Sequence, residues 1–150
     1  MIRTREELEG LVPHKGRMFL LSRVLQYDSR SLTAEYDITS EGLFYDPNLN
    51  GLPSWVCFEC MAQGIAALGA LTGRKEPSRP GCVLSVSAMA ITEPVLPLGS
   101  TVTITVREEG RDGRVSSFQG ALLLGKARVA EARLTVMEMD GSAFSTGGGA

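Results

Sequence analysis

Two polar side chains, Glu59 and Gln63, lie four residues apart inside an otherwise apolar stretch at residues 53–72. Residues at this spacing share one face of an α-helix, one turn apart. Glu59 is the only charged residue of the stretch. A carboxyl group in a largely buried helix must be hydrogen-bonded, paired with a cation or kept protonated, and a protonated carboxyl can serve as a general acid. The alternative is a solvated acid on an exposed strip, and the pattern alone leaves both open.

The stretch itself reads as one long helix. Pro53 suits a first helical position, and Gly73 follows the last apolar residues. About 20 residues could also cross a bilayer, but Glu59 and Gln63 lie well inside the stretch and strand patterns surround it. We therefore expect no membrane span, and a helix covered by the rest of its own chain.

The remaining elements are short and mostly strand-like. A capped helical turn is predicted near residues 4–8 and a hairpin from residues 18–25 and 32–38. Residues 41–52 carry the Gly, Pro and Asn of a loop. Four further strands are predicted at residues 82–92, 101–109, 115–124 and 127–139. This order predicts an α+β fold in which an antiparallel sheet of about six strands packs against the helix.

The length and the net charge of the chain limit which kinds of protein it can be. The 150 residues suit one domain, predicted at residues 1–140, and the small polar residues of 141–150 predict a disordered tail. A net charge of -2 argues against nucleic-acid binding, which requires clustered Lys and Arg. The charged start MIRTREELEG is unlike a secretory signal, so a cytoplasmic location is expected.

Cys57 and Cys60 form a C-x-x-C inside the apolar stretch, and the chain has three cysteines in all. A redox pair normally occupies an exposed helix start, and no second pair is present to complete a zinc site. We interpret both cysteines as small buried hydrophobic residues and expect no metal.

Four phrases of the sequence resemble one enzyme family in the same order. They are Leu11 to His14 with Met18 to Val24, the helix phrase Pro53 to Gln63, the strand and turn Ala88 to Thr101, and the closing Phe118 to Ala132. Together they resemble the 3-hydroxyacyl-(acyl carrier protein) dehydratases of the hot-dog fold, over about residues 11–137. The helix phrase also resembles a divergent dehydratase-like branch linked to aryl polyene pathways.

The resemblance implies a hot-dog fold, in which the sheet wraps a central helix and dimers build their sites from both subunits. It implies removal of water from a 3-hydroxyacyl thioester on acyl carrier protein or coenzyme A, with no cofactor. Glu59 matches the family's acid. Ser54 or Trp55 stands where a backbone N–H polarises the thioester carbonyl, and with Gln63 they are the expected substrate-binding residues.

The base of the family is a histidine, and its position falls on Tyr45 in this sequence, next to Asp46. An unperturbed phenol, with a pKa of about 10, is mostly protonated at neutral pH. Asp46 and His14, the only histidine, are the other candidates. Three hypotheses follow: a dehydratase, working as a homodimer or higher oligomer; a non-catalytic acyl-binding subunit that partners a catalytic homologue; and an acyl thioesterase.

Overall fold

A long antiparallel sheet and one central helix make up most of the chain. The structure is a computed structural model that describes residues 2–11, 16–73 and 81–138. Its two helices are α1 (Arg5–Glu9) and α2 (Val56–Leu71), and a 3-10 turn spans Gly16–Met18. The strands, in chain order, are β1 (Arg3–Thr4), β2 (Arg23–Tyr27), β3 (Ser31–Asp37), β4 (Gly51–Pro53), β5 (Gly81–Ile91), β6 (Val95–Pro97), β7 (Thr101–Asp112), β8 (Val115–Leu124) and β9 (Ala127–Glu138).

Seven strands form the main sheet, in the order β1-β2-β3-β7-β8-β9-β5, and every neighbouring pair is antiparallel. Buried and less buried residues alternate along β3, because one face of a half-buried sheet lies on the core. The register from Ser31↔Arg107 to Asp37↔Thr101 puts the buried residues of β3 and β7 on the same face. That face carries the helix.

Helix α2 lies across β3, β7, β8 and β9. It packs closely because small residues of the sheet leave room for its side chains. At Gly120 on β8, an added Cβ would lie 2.7 Å from the sulfur of Met61. Met61 and its neighbours Val56, Cys57 and Cys60 are fully buried. The predicted arrangement of one apolar helix against an antiparallel sheet is confirmed.

The start of α2 differs from the prediction. Pro53 is not its first helical residue, because Pro53 belongs to β4, which pairs with β6 in a separate two-stranded sheet through Pro53↔Val95. The backbone then turns at Ser54 and Trp55, and the helix begins at Val56. The prediction also missed β4 and β6, which have three residues each and are too short for an alternating pattern.

Most other predicted elements are confirmed within a few residues, but the hairpin strand predicted from residue 18 begins only at Arg23, because residues 16–18 form a 3-10 turn. Thr4 caps α1, with its hydroxyl accepting from the N–H of Glu7 at 3.4 Å. Asp28 accepts from the N–H groups of Arg30 and Ser31 and so closes the predicted hairpin turn. Among the described residues, no helix has the length and apolar character that a membrane crossing requires. The predicted disordered tail, residues 141–150, lies outside the described residues.

Gly51 provides a test of how β4 sets the helix start. A Cβ at this position would overlap the carbonyl oxygen of Leu96 and lie 2.9 Å from Val95 Cγ1, so backbone would have to move. We expect Gly51→Ala to lower the free energy of unfolding by about 1–3 kcal/mol, as overpacking does. Urea unfolding followed by circular dichroism measures the change.

Gly110→Ala is the matched control, because a Cβ there meets no atom within 4 Å. Its unfolding free energy should stay within about 0.5 kcal/mol of the wild type, as for ordinary surface changes. Equal stabilities of the two variants would show that the contact between β4 and β6 does not constrain this position.

Candidate active site

Gln63 is a fully buried amide at the centre of the candidate site. Its Nε2 donates to the carbonyl oxygen of Met18 at 2.7 Å and to Glu59 Oε1 at 3.0 Å. Its Oε1 accepts from the N–H of Leu20 at 2.7 Å. These partners fix the orientation of the amide, because only the nitrogen can donate to a carbonyl and only the oxygen can accept from an N–H. One N–H of Gln63 therefore points at Glu59.

Glu59 is half-buried on the first turns of α2. The hydrogen bond from Gln63 holds one carboxylate oxygen, so the side chain is not a freely solvated acid. The spacing of four residues places the pair as the sequence predicts. Of the two readings left open by the sequence, the structure favours the positioned carboxylate.

The two cysteines beside Glu59 are buried in this fold. Burial raises the pKa of the Cys57 thiol to about 11. Burial raises the pKa of Cys60 further above its ordinary value, and the charges of Cys57 and Glu59 add to that shift. Both side chains are fully buried and protonated at neutral pH, as the interpretation of them as small hydrophobic residues requires.

Ser54 and Trp55 form the turn that precedes α2. The Ser54 N–H donates to the carbonyl oxygen of Pro94 at 3.1 Å, and its own carbonyl accepts from Cys57 N–H at 3.0 Å. Trp55 occupies the N-cap without a side-chain hydrogen bond to the helix. The first N–H groups of a helix have no intrahelical acceptor and carry partial positive charge. This end of α2 can therefore stabilise negative charge on a substrate oxygen.

The Trp55 side chain is 55% exposed and meets the ring of Phe44 edge-on, with centroids 5.5 Å apart. Phe44 belongs to the loop that carries the other predicted site residues. The contact joins that loop to the helix start, and no periodic pattern in the sequence predicts it.

Tyr45 and Asp46 both have partners within their own loop. The Asp46 carboxylate accepts from the N–H of Asn48 at 2.9 Å, and this hydrogen bond stabilises a tight turn. The Tyr45 hydroxyl donates to Asn50 Oδ1 at 3.5 Å. Asp46 N–H also donates to Gly51 O at 2.9 Å, so the loop leads straight into β4 and the helix start. Within the described residues, no hydrogen bond joins either side chain to Glu59.

The remaining sequence candidate, His14, lies outside the described residues. Within the described ranges, no group of three or more His, Cys, Asp or Glu side chains could hold a metal ion. The residues that sequence reasoning missed are Met18 and Leu20, which act through backbone atoms. Side-chain type carries no signal for such a role.

Comparison with known proteins places this geometry in a family. Residues 6–146 match the ApeP-like family, described as ApeP dehydratase. The dehydratase heterocomplex ApeI:P from Xenorhabdus doucetiae has a similar fold, with a TM-score of 0.83 and 22% identity over 93% of this chain and 95% of that chain. No curated protein sequence matches the chain.

Two more distant structures share the fold. The E. coli PaaI protein from the phenylacetic acid degradation operon gives a TM-score of 0.62 at 11% identity, covering 76% of this chain and 80% of that chain. A hypothetical thioesterase with coenzyme A from Streptococcus pneumoniae gives 0.60 at 12% identity, covering 77% and 84%. The predicted hot-dog fold is confirmed, and the chain belongs to the ApeP-like dehydratase family.

Proposed function

We propose that this chain takes part in the dehydration of a 3-hydroxyacyl thioester, with Glu59 serving the leaving hydroxyl. The observation that carries the proposal is the fixed hydrogen bond from buried Gln63 to Glu59, which positions a carboxyl group on an otherwise apolar helix. Membership of a dehydratase family supports the same reaction class.

In this reaction a base removes the proton from C2 of the acyl chain. The electron pair of that bond forms the C2–C3 double bond, while the C3–O bond breaks and Glu59 gives a proton to the departing oxygen. Water leaves, and the proton taken by the base returns to Glu59. The products are an enoyl thioester and water.

The helix start supports the carbonyl end of the substrate. As C2 loses its proton, negative charge develops on the thioester oxygen, and the backbone N–H of Trp55 would stabilise it, since the N–H of Ser54 already donates to Pro94. We propose that the exposed ring of Trp55 lines the same site, with Gln63 holding the acid below it.

The base of this reaction can come from this chain or from a second chain. Asp46 and Tyr45 already have partners in their loop, and His14 is the remaining candidate in the chain. We propose that a second, homologous hot-dog chain contributes the base, and that Tyr45 and Asp46 line the site beside it. The dehydratase heterocomplex ApeI:P supports such pairing, because it unites two chains in one dehydratase.

Strand β5 supports a second chain as well. Among the described residues it is the last strand at one end of the main sheet, and its eleven residues include no charge and no proline. Val83, Met89 and Ile91 are exposed large hydrophobic residues of this strand. Monomeric proteins protect long edges with charges, prolines or bulges, and β5 has two register shifts but neither a charge nor a proline. We propose that the homologous chain covers this edge.

We propose a cytoplasmic location for this reaction. The thioester carrier in the proposal is acyl carrier protein or coenzyme A. The fold neighbour from Streptococcus pneumoniae was solved with coenzyme A. Supplying the same 3-hydroxyacyl group on each carrier distinguishes the two.

One prediction of this proposal concerns the need for a partner. We expect the purified chain alone to give little enoyl product, and a homologous hot-dog chain that carries the family's histidine to raise the rate at least about 100-fold, the usual scale of general-base catalysis. Mass spectrometry of the products makes the measurement.

Full dehydration by the chain alone would contradict this prediction. In that case Tyr45→Phe, Asp46→Asn and His14→Ala locate the base. Asp46→Asn keeps an oxygen for the Asn48 N–H, so its effect reports on charge and not on the turn. Free acid in place of enoyl thioester would indicate thioester hydrolysis.

The second prediction concerns the acid. We expect Glu59→Gln to lower the dehydration rate of the active assembly by about 10²–10⁴-fold, because the amide cannot donate an acidic proton to the leaving hydroxyl. Glu6→Gln, at an exposed acid of α1, is the matched control and should keep the wild-type rate. An unchanged rate in Glu59→Gln would remove Glu59 from the mechanism.

The third prediction concerns Gln63 as a positioning residue. Gln63→Leu removes the amide from Glu59 and leaves the Met18 carbonyl and the Leu20 N–H unpaired. We expect a loss of about 1–3 kcal/mol in unfolding free energy for each orphaned group, and a fall in kcat larger than any change in KM. Steady-state kinetics below the unfolding temperature separates the two effects, and a change confined to stability would limit Gln63 to a structural role.

A further inference from the structure

The segment at residues 16–20 connects α1 with the buried amide of Gln63. The carbonyl oxygen of Met18 accepts from Gln63 Nε2, and the N–H of Leu20 donates to Gln63 Oε1, both at 2.7 Å. Phe19, between these two residues, is only 1% exposed. Whatever fixes this segment therefore also fixes the amide that donates to the proposed acid.

Arg5 contacts the segment at two points. Its Nη2 donates to the carbonyl oxygen of Gly16 at 2.6 Å, and the same oxygen accepts from the N–H of Phe19 at 3.1 Å. The guanidinium carbon also lies 5.3 Å from the centre of the Phe19 ring, within the distance of about 6 Å at which a cation attracts an aromatic face. Arg5 thus contacts the 3-10 turn at its first residue and at the residue that follows its last.

The guanidinium is itself held in place on α1. Its Nε donates to Glu9, four residues further along the helix, at 3.1 Å. The Thr4 hydroxyl caps the same helix, and Leu8 buries it against the core. A partly exposed ion pair adds little to stability. The pair of Arg5 with Glu9 does, however, fix the direction in which Nη2 points.

Arg5 also shares a cavity wall with Phe19. The two side chains, together with Tyr36, belong to the walls of a space of about 320 Å³, which we call the cavity of Tyr36. Without the guanidinium, the Phe19 ring would lose a packing partner on this side, and a void offers no contacts in its place. The ring would then be free to shift toward the cavity, together with the backbone on either side of it.

We propose that Arg5 is a positioning residue for Glu59. Arg5 holds the segment at residues 16–20, this segment holds Gln63, and Gln63 donates to Glu59. Arg5 itself takes no part in bond making. The effect on the reaction rests on the proposed dehydration, whereas the effect on the segment does not, so the two are measured separately.

Hydrogen exchange of the Leu20 amide tests the effect on the segment. We expect Arg5→Leu to speed this exchange at least about tenfold relative to the amide of Leu122, a fully buried residue of β8 that reports unfolding of the whole chain. Arg3→Leu is the matched control, because Arg3 forms the same kind of ion pair with Glu7, at 3.3 Å, and has the same charge. Wild-type exchange in Arg5→Leu, or equal acceleration in both variants, would overturn the proposal.

Steady-state kinetics of the active assembly tests the effect on the acid. We expect Arg5→Leu to lower kcat at least about tenfold with KM changed by less than about twofold, since misplacing a reacting group by about 1 Å can cost about 100-fold. In a Gln63→Leu background the same substitution should cause little further loss, because both residues act on Glu59 through one path.

The outcomes separate this proposal from the proposed function. Losses that multiply in the double variant, or a rate in Arg5→Leu equal to that of Arg3→Leu, would show that Arg5 does not act through Gln63. A chain without dehydration activity in any assembly would contradict the proposed function, and the exchange of the Leu20 amide would still decide whether Arg5 holds the segment.

Discussion

The hydrogen-bonding requirement of one buried amide organises the centre of this molecule. Gln63 is surrounded by apolar residues of α2, where an unpaired amide would be costly. Its oxygen needs a donor and its nitrogen needs acceptors, and the chain meets both with the backbone of Met18 and Leu20 and the carboxylate of Glu59. The same three bonds fasten the helix to the segment ahead of β2 and orient the acid. Fold and site therefore share one interaction.

Elements whose conformation is set by residues near them in the chain could be predicted from the sequence. The helix, the position of Glu59 and Gln63 on one face, and most strands follow from apolar periodicity and turn residues. The helix start does not, because Pro53 takes its conformation from pairing with Val95, more than forty residues away. Short strands such as β4 and β6 depend on such distant partners for their existence, and a sequence window of their length contains too little pattern to reveal them.

Within the candidate site, too, some groups could be predicted from the sequence and others could not. The carboxylate could be predicted, because an acid within an apolar helix is conspicuous in sequence. The partners of Gln63 could not, because they are backbone atoms that any residue provides. Asp46 illustrates the opposite case, since its residue type suits both catalysis and a turn, and only the bond from Asn48 N–H shows how this chain uses it.

The segment at residues 18–20 links two parts of the molecule that are otherwise separate. The backbone of Met18 and Leu20 binds Gln63, while Phe19 between them lies under Arg5 and beside the cavity of Tyr36. Gln63 itself is fully buried on α2 and donates to Glu59, so it joins this segment to the acid. Both Gln63 bonds to the segment are short, at 2.7 Å, so a displacement there is transmitted to the amide directly. The position of the acid is therefore tied to the backbone of Met18 and Leu20 through one amide.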